Sequence, residues 1–505
     1  MSPALVCLTR VRSSLGAPHS GALFRSFFLQ TSPIWLFGMA LCRPMGCLAG
    51  TEDSHPYGLT GNVGCQPYLA MPERADGAMP ELLSQTGAFQ DTANLVPSPG
   101  LVPYDLVISF WSDGAAKSRW MAAPRGAEGM PQKIKFSPTG EWKFPKGMVF
   151  VKHFELATNE THPELRRRLE TRLLVCDSTG KVYGVTYKWR ADKSDADLLR
   201  SNLTERISIQ TATGTRTQTW IYPSRDDCRT CHTTLAGGVL GPKTRQLNRL
   251  LAYSRRLADK SGSSDSSETS DHPRSASPEI NDNELRVWNH LGLFDPPLDE
   301  TSLKSYPALA DAHDSARTLE DRARSYLDAN CAHCHRPGGT VADFDTRYDI
   351  PLAKQGLIDG SVLIDEGLDG ARVVAPRDTW RSVLFLRVNT LEGLKMPPLA
   401  HQELDRISIA LLREWIESLP GRPVLPPPSI NPRAGHFAAP VVVSLSSSDP
   451  DAEIHYTLDG SVPDKKDPVY QTPFRITAST VVRAKAYKTG FTHSITAQEV
   501  FVVGE

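Results

Sequence analysis

Two short cysteine motifs constrain this chain more than anything else in it. Cys228-Arg229-Thr230-Cys231-His232 is one C-x-x-C-H sequence, and Cys331-Ala332-His333-Cys334-His335 is a second. Two thiols three residues apart on a helical turn match the two vinyl groups of one porphyrin. The histidine that follows then lies over the ring and supplies its axial nitrogen. The expected cofactor is therefore covalently attached haem c, two per chain. Cys228, Cys231, Cys331 and Cys334 are the attachment sites, with His232 and His335 as iron ligands.

Other uses of cysteine pairs fit less well. A four-cysteine zinc site joins pairs roughly 15–20 residues apart, and these lie about 100 apart in the chain. A thioredoxin-like pair needs a βαβ context that neither motif has. A zinc-stabilised secreted binding protein stays as the alternative without haem. Nine cysteines in 505 residues are too few for a disulfide scaffold. Once the motifs and the N-terminal stretch are set aside, only Cys65 and Cys176 remain to pair, and the sequence does not say whether they meet.

The compartment follows from the first 49 residues. Arg10, Arg12 and Arg25 precede an apolar run, Ile34–Leu41, and then small residues up to Ala49. That is the order of a secretory leader, with export to the periplasm or cell surface expected. Met39 is an alternative start. Cys47 is an alternative lipid-anchor site, although Pro44-Met45 fits that pattern poorly. No stretch of about 18 apolar residues occurs, which excludes a polytopic membrane protein. Lys+Arg (56) balances Asp+Glu (57), so no nucleic-acid partner is expected.

Around the second motif, Ser315–Asn330 has helical apolar spacing through Leu319, Ala323, Tyr326 and Leu327. Glu403–Ser418 has it through Leu404, Ile407, Leu411, Leu412, Trp415 and Ile416. Between them Lys395-Met396-Pro397-Pro398 holds a methionine in an extended loop, from which its sulfur can enter a pocket. Met396 is expected as a distal iron ligand, with His401 as competitor. Arg372, Arg381 and Arg387 are candidates for haem propionates. The order helix, CxxCH, Met-Pro-Pro, helix over residues 284–420 resembles a class I cytochrome c domain. That resemblance implies thioethers at Cys331 and Cys334, proximal His335 and distal Met396.

The first motif follows short segments of β-branched and aromatic residues: Gln132–Phe136, Met148–Leu156, Arg172–Cys176, Val182–Trp189, Ile207–Thr211 and Gln218–Tyr222. An antiparallel β unit over 55–258 is expected, closing with a helix at Thr244–Leu257. Its distal ligand is not evident. Met121, Met130, Met148 and His153 are upstream candidates, and an open iron is the alternative. Trp111–Lys117, Lys152–Glu155 and Gly241–Asn248 resemble blocks of a family of uncharacterised exported bacterial proteins with CxxCH motifs. The resemblance covers about residues 80–420 and implies one functional unit across both motifs, without naming a reaction.

Residues 259–283 are Ser-, Asp- and Glu-rich and read as a disordered linker. Residues 421–432 read as a Pro-rich spacer. Residues 433–505 alternate like a β-sandwich, and Tyr456–Pro463 resembles the immunoglobulin-like module at the C-terminus of chitobiases and hexosaminidases. An accessory role is expected, with carbohydrate binding a weak alternative. The expected fold class is thus multidomain α+β: a β-rich N-terminal unit, a mainly α cytochrome c-like domain and a C-terminal β-sandwich. The expected function is electron transfer between redox partner proteins. A peroxidase-like enzyme with an open first haem is the alternative.

Overall fold

A computed structural model describes residues 57–61, 63–254 and 279–504, all within one compact unit, Pro56–Glu505. The expected leader with Cys47, and residues 255–278, which include 259–278 of the expected linker, lie outside the described residues.

The framework is a six-stranded antiparallel sheet in the order Leu101–Pro103, Ala116–Ala122, Val149–Ala157, Arg166–Cys176, Val182–Trp189, Ala196–Leu198. Its central strands are apolar on both sides because both faces are covered. Met121, Phe150 and Leu174 face a core holding Trp142, Trp288 and Phe294. Their neighbours Ala122, Val149, Val151, Leu173 and Val175 face a second core with Tyr187 and Trp189. A register shift between Phe154 and Glu155 passes the strand on to a third cluster. There Phe154 and Leu156 pack under the hairpin Leu203–Thr211/Gly214–Tyr222 through Ile207, Ile209 and Trp220.

The first core is completed from beyond the linker. Leu250–Ser254 pairs antiparallel with Glu279–Asn283, so the last five residues of the expected linker form a strand. Helix Glu284–His290 follows and sets Trp288 6.0 Å from Trp142. Phe294 then pairs in parallel with Ile134, its ring 5.1 Å from that of Trp142. Each such aromatic pair adds about 0.5–1.5 kcal/mol beyond area burial.

The expected helix at Thr244–Leu257 is corrected by the structure. Only Thr244–Leu247 is helical. Leu247 is buried but Leu250 is 65% exposed, so the leucine spacing that suggested one amphipathic face serves a helical turn and then a strand.

The fold class is corrected too. The chain is β-rich, and residues 284–420 do not form a mainly α cytochrome c-like domain. Their helices are Glu284–His290, Leu319–Asn330, Val383–Val388 and Arg406–Ser418. The first belongs to the β-rich core. Between Asn330 and Val383 the backbone is turns, bends and a short 3-10 turn, as its Gly, Pro and Asp content favours. The two longer helices match their apolar spacing. Thr318 caps one, accepting from the Asp321 N–H, and Asp405 caps the other, accepting from the Ser408 N–H. They bury Tyr326, Leu327, Leu412 and Trp415 in a shared cluster. Among the described residues no helix is long and apolar enough to cross a membrane.

The C-terminal β-sheet domain is as expected. A three-stranded sheet (Ser429–Asn431, Val441–Ser446, Phe474–Ile476) and a four-stranded one (Gly435–Phe437, Ala497–Val503, Thr480–Tyr487, Glu453–Thr457) share a core with Val443, Val482 and Phe501. Arg381 ties it to the preceding segment. Arg381 is paired with Asp378 at 2.6 Å and donates to the Ser494 carbonyl at 2.8 Å. Lys485 pairs with Asp369.

Candidate cofactor site

Local sequence explains how the first motif is presented. Helix Arg225–Cys231 starts at a reciprocal cap: the Ser224 hydroxyl accepts from the Asp227 N–H, and the Asp227 carboxylate accepts from the Ser224 N–H at 2.8 Å. The helix lies on strand Val182–Trp189, where Gly184 makes room for it. A Cβ at Gly184 would stand 2.8 Å from the Cys228 Sγ. After Cys231 the loop folds back so that His232 Nδ1 lies 2.7 Å from the Gly238 carbonyl oxygen. A neutral imidazole held this way donates from Nδ1 and keeps the Nε2 lone pair free for iron. Burial holds the His232 pKa down to about 4, so the imidazole is in its ligating form at neutral pH.

His232, Cys228 and Cys231 line a cavity of about 200 Å³ with apolar walls from Leu106, Ile108, Phe150 and Leu174. Lys152 also lines it. Its amine is buried beside Arg119, Lys117 and Arg172, with Glu170 as the acidic neighbour, and its proton affinity is lowered first by burial and then by those cations. Arg172 pairs with buried Glu170 at 2.6 Å. An apolar slot with an anchored histidine, two thiols and cationic side chains suits a porphyrin with its propionates, so the residues of the first motif fit haem c.

The second motif reaches the same cavity through Ala329, His333 and Arg336. The thiols of Cys231 and Cys334 adjoin. Their interaction raises Cys231, and hydrogen bonds from Cys231 and from His333 lower Cys334. The chain separation of about 100 residues, used above against a shared zinc site, is therefore closed in space. Even so, among the described residues no group of three or more His, Cys, Asp or Glu side chains is disposed to hold a metal ion.

His335 points elsewhere. It stacks on Phe344 at 4.3 Å, and its Nδ1 is buried without a hydrogen-bond partner. Met396 and Cys331 pack on the same helical cluster as Phe344, and the Met396 N–H donates to the Arg387 carbonyl at 2.8 Å. Met396 therefore shares an apolar neighbourhood with the second motif. His401 is buried with its ring toward the Met396 and Pro397 carbonyls. Arg387 pairs with Glu366 and bears electrostatically on His335, whereas Arg381 is used in docking the C-terminal domain and Arg372 donates to the Ala371 carbonyl.

The upstream candidates for a distal ligand are placed away from the cavity. Met121 and Met148 are fully buried in the first core, and Met130 is 60% exposed. His153 Nδ1 lies 2.8 Å from the Thr171 hydroxyl, and its Nε2 faces Glu155. Cys65 and Cys176 are both buried free thiols.

The sequence blocks around the motifs turn out to be clamps. Asp113 accepts from the N–H groups of Gln402 and Glu403 at 2.7 and 3.0 Å. The Trp111 N–H donates to the Asn330 side chain at 2.8 Å. Lys243 and Arg245 both grip Asp328, on the helix leading into the second motif. Arg336 reaches Glu141 at 3.0 Å and the Leu235 carbonyl at 3.2 Å. Sequence reasoning did not single out His333, Lys152 and Asp328, which line the cavity, or Arg245, which pairs with Asp328. The one signal for His333 was a histidine inside a CxxCH.

Residues 432–498 match the model of the chitobiase/beta-hexosaminidase C-terminal domain. This region is a domain of that family. No curated protein and no solved structure matches the chain.

Proposed function

We propose that this chain is an exported electron-transfer protein carrying two covalently attached haems c. The first would be held by Cys228, Cys231 and His232, and the second by Cys331, Cys334 and His335 with Met396 as distal ligand. The observation that carries the reading is His232, whose Nδ1 is tied to the Gly238 carbonyl while the imidazole lines an apolar cavity beside both thiols of its motif. When bound, the haem irons supply one-electron exchange between ferric and ferrous states. The protein's part is to fix the imidazoles, exclude water with apolar walls and set the Lys152 amine and the Arg172 guanidinium beside the propionates. The adjoining Cys231 and Cys334 suit two redox centres that exchange electrons directly. The leader sequence supports export, where redox partner proteins would donate and accept electrons. The C-terminal domain has an accessory role.

The test is a haem count by pyridine haemochrome and intact mass on chain matured with c-type attachment machinery. Two haems are expected. One or none, or zinc in place of iron, overturns the reading.

A further inference from the structure

We infer that His333, an interior residue of the second CxxCH motif, is the distal iron ligand of the first haem. The inference rests on the two-haem reading above.

The second motif forms one helical turn, in which the His335 N–H donates to the Cys331 carbonyl at 2.8 Å. Residues two apart on such a turn point about 200° apart. His335 accordingly turns toward Phe344 and the helical cluster. His333 turns the other way, into the cavity that His232 lines, with its ring edge-on to Phe110 at 5.6 Å. It also adjoins the Cys334 thiol, which itself adjoins Cys231. One motif thus presents two imidazoles to two different places.

The other donors around this cavity are disposed for other tasks. The Lys152 amine sits among Arg119, Lys117 and Arg172, a field that suits an anionic propionate. Cys228 and Cys231 are consumed as thioethers. No methionine lines the cavity. Imidazole is a strong ligand for haem iron, and His333 is the remaining one.

The experiment compares unmodified protein with His333→Ala, His333→Met and Lys152→Met, each with a haem count. In the unmodified protein, near-infrared magnetic circular dichroism should show bis-nitrogen ligation at one low-spin haem. In His333→Ala both haems should remain attached and one should become high-spin, with added imidazole returning it to low spin. His333→Met should stay six-coordinate, with thioether in place of imidazole. A high-spin first haem in the unmodified protein overturns the assignment. So does low-spin character kept in His333→Ala, or lost only in Lys152→Met. A haem count below two in the unmodified protein overturns the two-haem reading itself, which the spin-state results do not address.

Discussion

The Arg245 guanidinium holds both oxygens of the Asp328 carboxylate, Nε and Nη2 donating at 3.0 and 2.8 Å, with both side chains fully buried. Lys243 adds a contact at 2.8 Å, and Arg245 also reaches Asp349 at 2.7 Å. Asp328 is on the helix that delivers the second motif, and Lys243 and Arg245 follow the first. The pair is a bolt between the two halves of the candidate site.

Removing one side of this bolt leaves a buried charge short of its partner. Arg245→Met is expected to lower unfolding free energy by about 3–5 kcal/mol, read from urea denaturation midpoints at constant slope. A loss under 1 kcal/mol would show that Lys243 alone suffices.

The same pair sets an acid limit. Burial pushes the Asp328 pKa up, but Lys243 and Arg245 outweigh it and hold the carboxyl well below the ordinary range. Because the folded value lies below the unfolded one, the stabilisation is complete above about pH 5 and is lost as pH falls toward the folded value. Unfolding temperature measured from pH 6 to pH 3 should fall more steeply in the native chain than in Asp328→Asn. Parallel curves would remove Asp328 from the account.

Gly184 tests the seating of the first motif. An added methyl would meet the Cys228 Sγ at 2.8 Å and its Cβ at 3.0 Å, and crowding of this kind costs about 1–3 kcal/mol. Gly184→Ala should reduce haem attachment at the first motif and spare the second, as peptide mass mapping would report. Full occupancy of both would mean that the helix can shift freely.

Met396 tests the second motif. Met396→Ala should abolish the methionine–iron charge-transfer band and lower the potential of that haem, because thioether favours ferrous iron. Absence of that band in the unmodified protein, with low-spin character at that haem kept in Met396→Ala and lost in His401→Ala, would transfer the role to His401.

Arg381 tests the docking of the C-terminal domain. The spacer is held by the Leu425 N–H donating to the Thr492 carbonyl at 3.0 Å, and Leu425 is fully buried. Arg381→Ala removes the contact to the Ser494 carbonyl. Limited proteolysis should then cleave within 421–432 faster than in the native chain. Equal rates would show that the spacer holds without it.

Local features were legible from the chain and convergent ones were not. Leu411, Leu412, Trp415 and Ile416 marked the Arg406–Ser418 helix because one apolar stripe has one solution at that period. Val182–Trp189 was bounded correctly by its β-branched and aromatic content. The leucines near 250 misled because four of them satisfy helical spacing while the backbone turns into a strand partway. The helix–CxxCH–methionine–helix order suggested a mainly α domain, yet order along a chain does not say whether Asn330–Val383 coils into helices. The meeting of Cys231 with Cys334, and of His333 with the cavity of His232, is a tertiary event that no local window contains.

The pairing of Ser254 with Glu279 has an evolutionary consequence. The chain leaves the framework at Ser254 and returns to it at Glu279, paired points of one ladder, so the framework fixes the two ends together. For a flexible connection between fixed ends, doubling the length costs only about 0.6 kcal/mol in closure entropy. Insertions and deletions can accumulate there without shifting either motif. It is also the natural place to graft a purification tag or a fluorescent reporter while both cysteine motifs keep their positions.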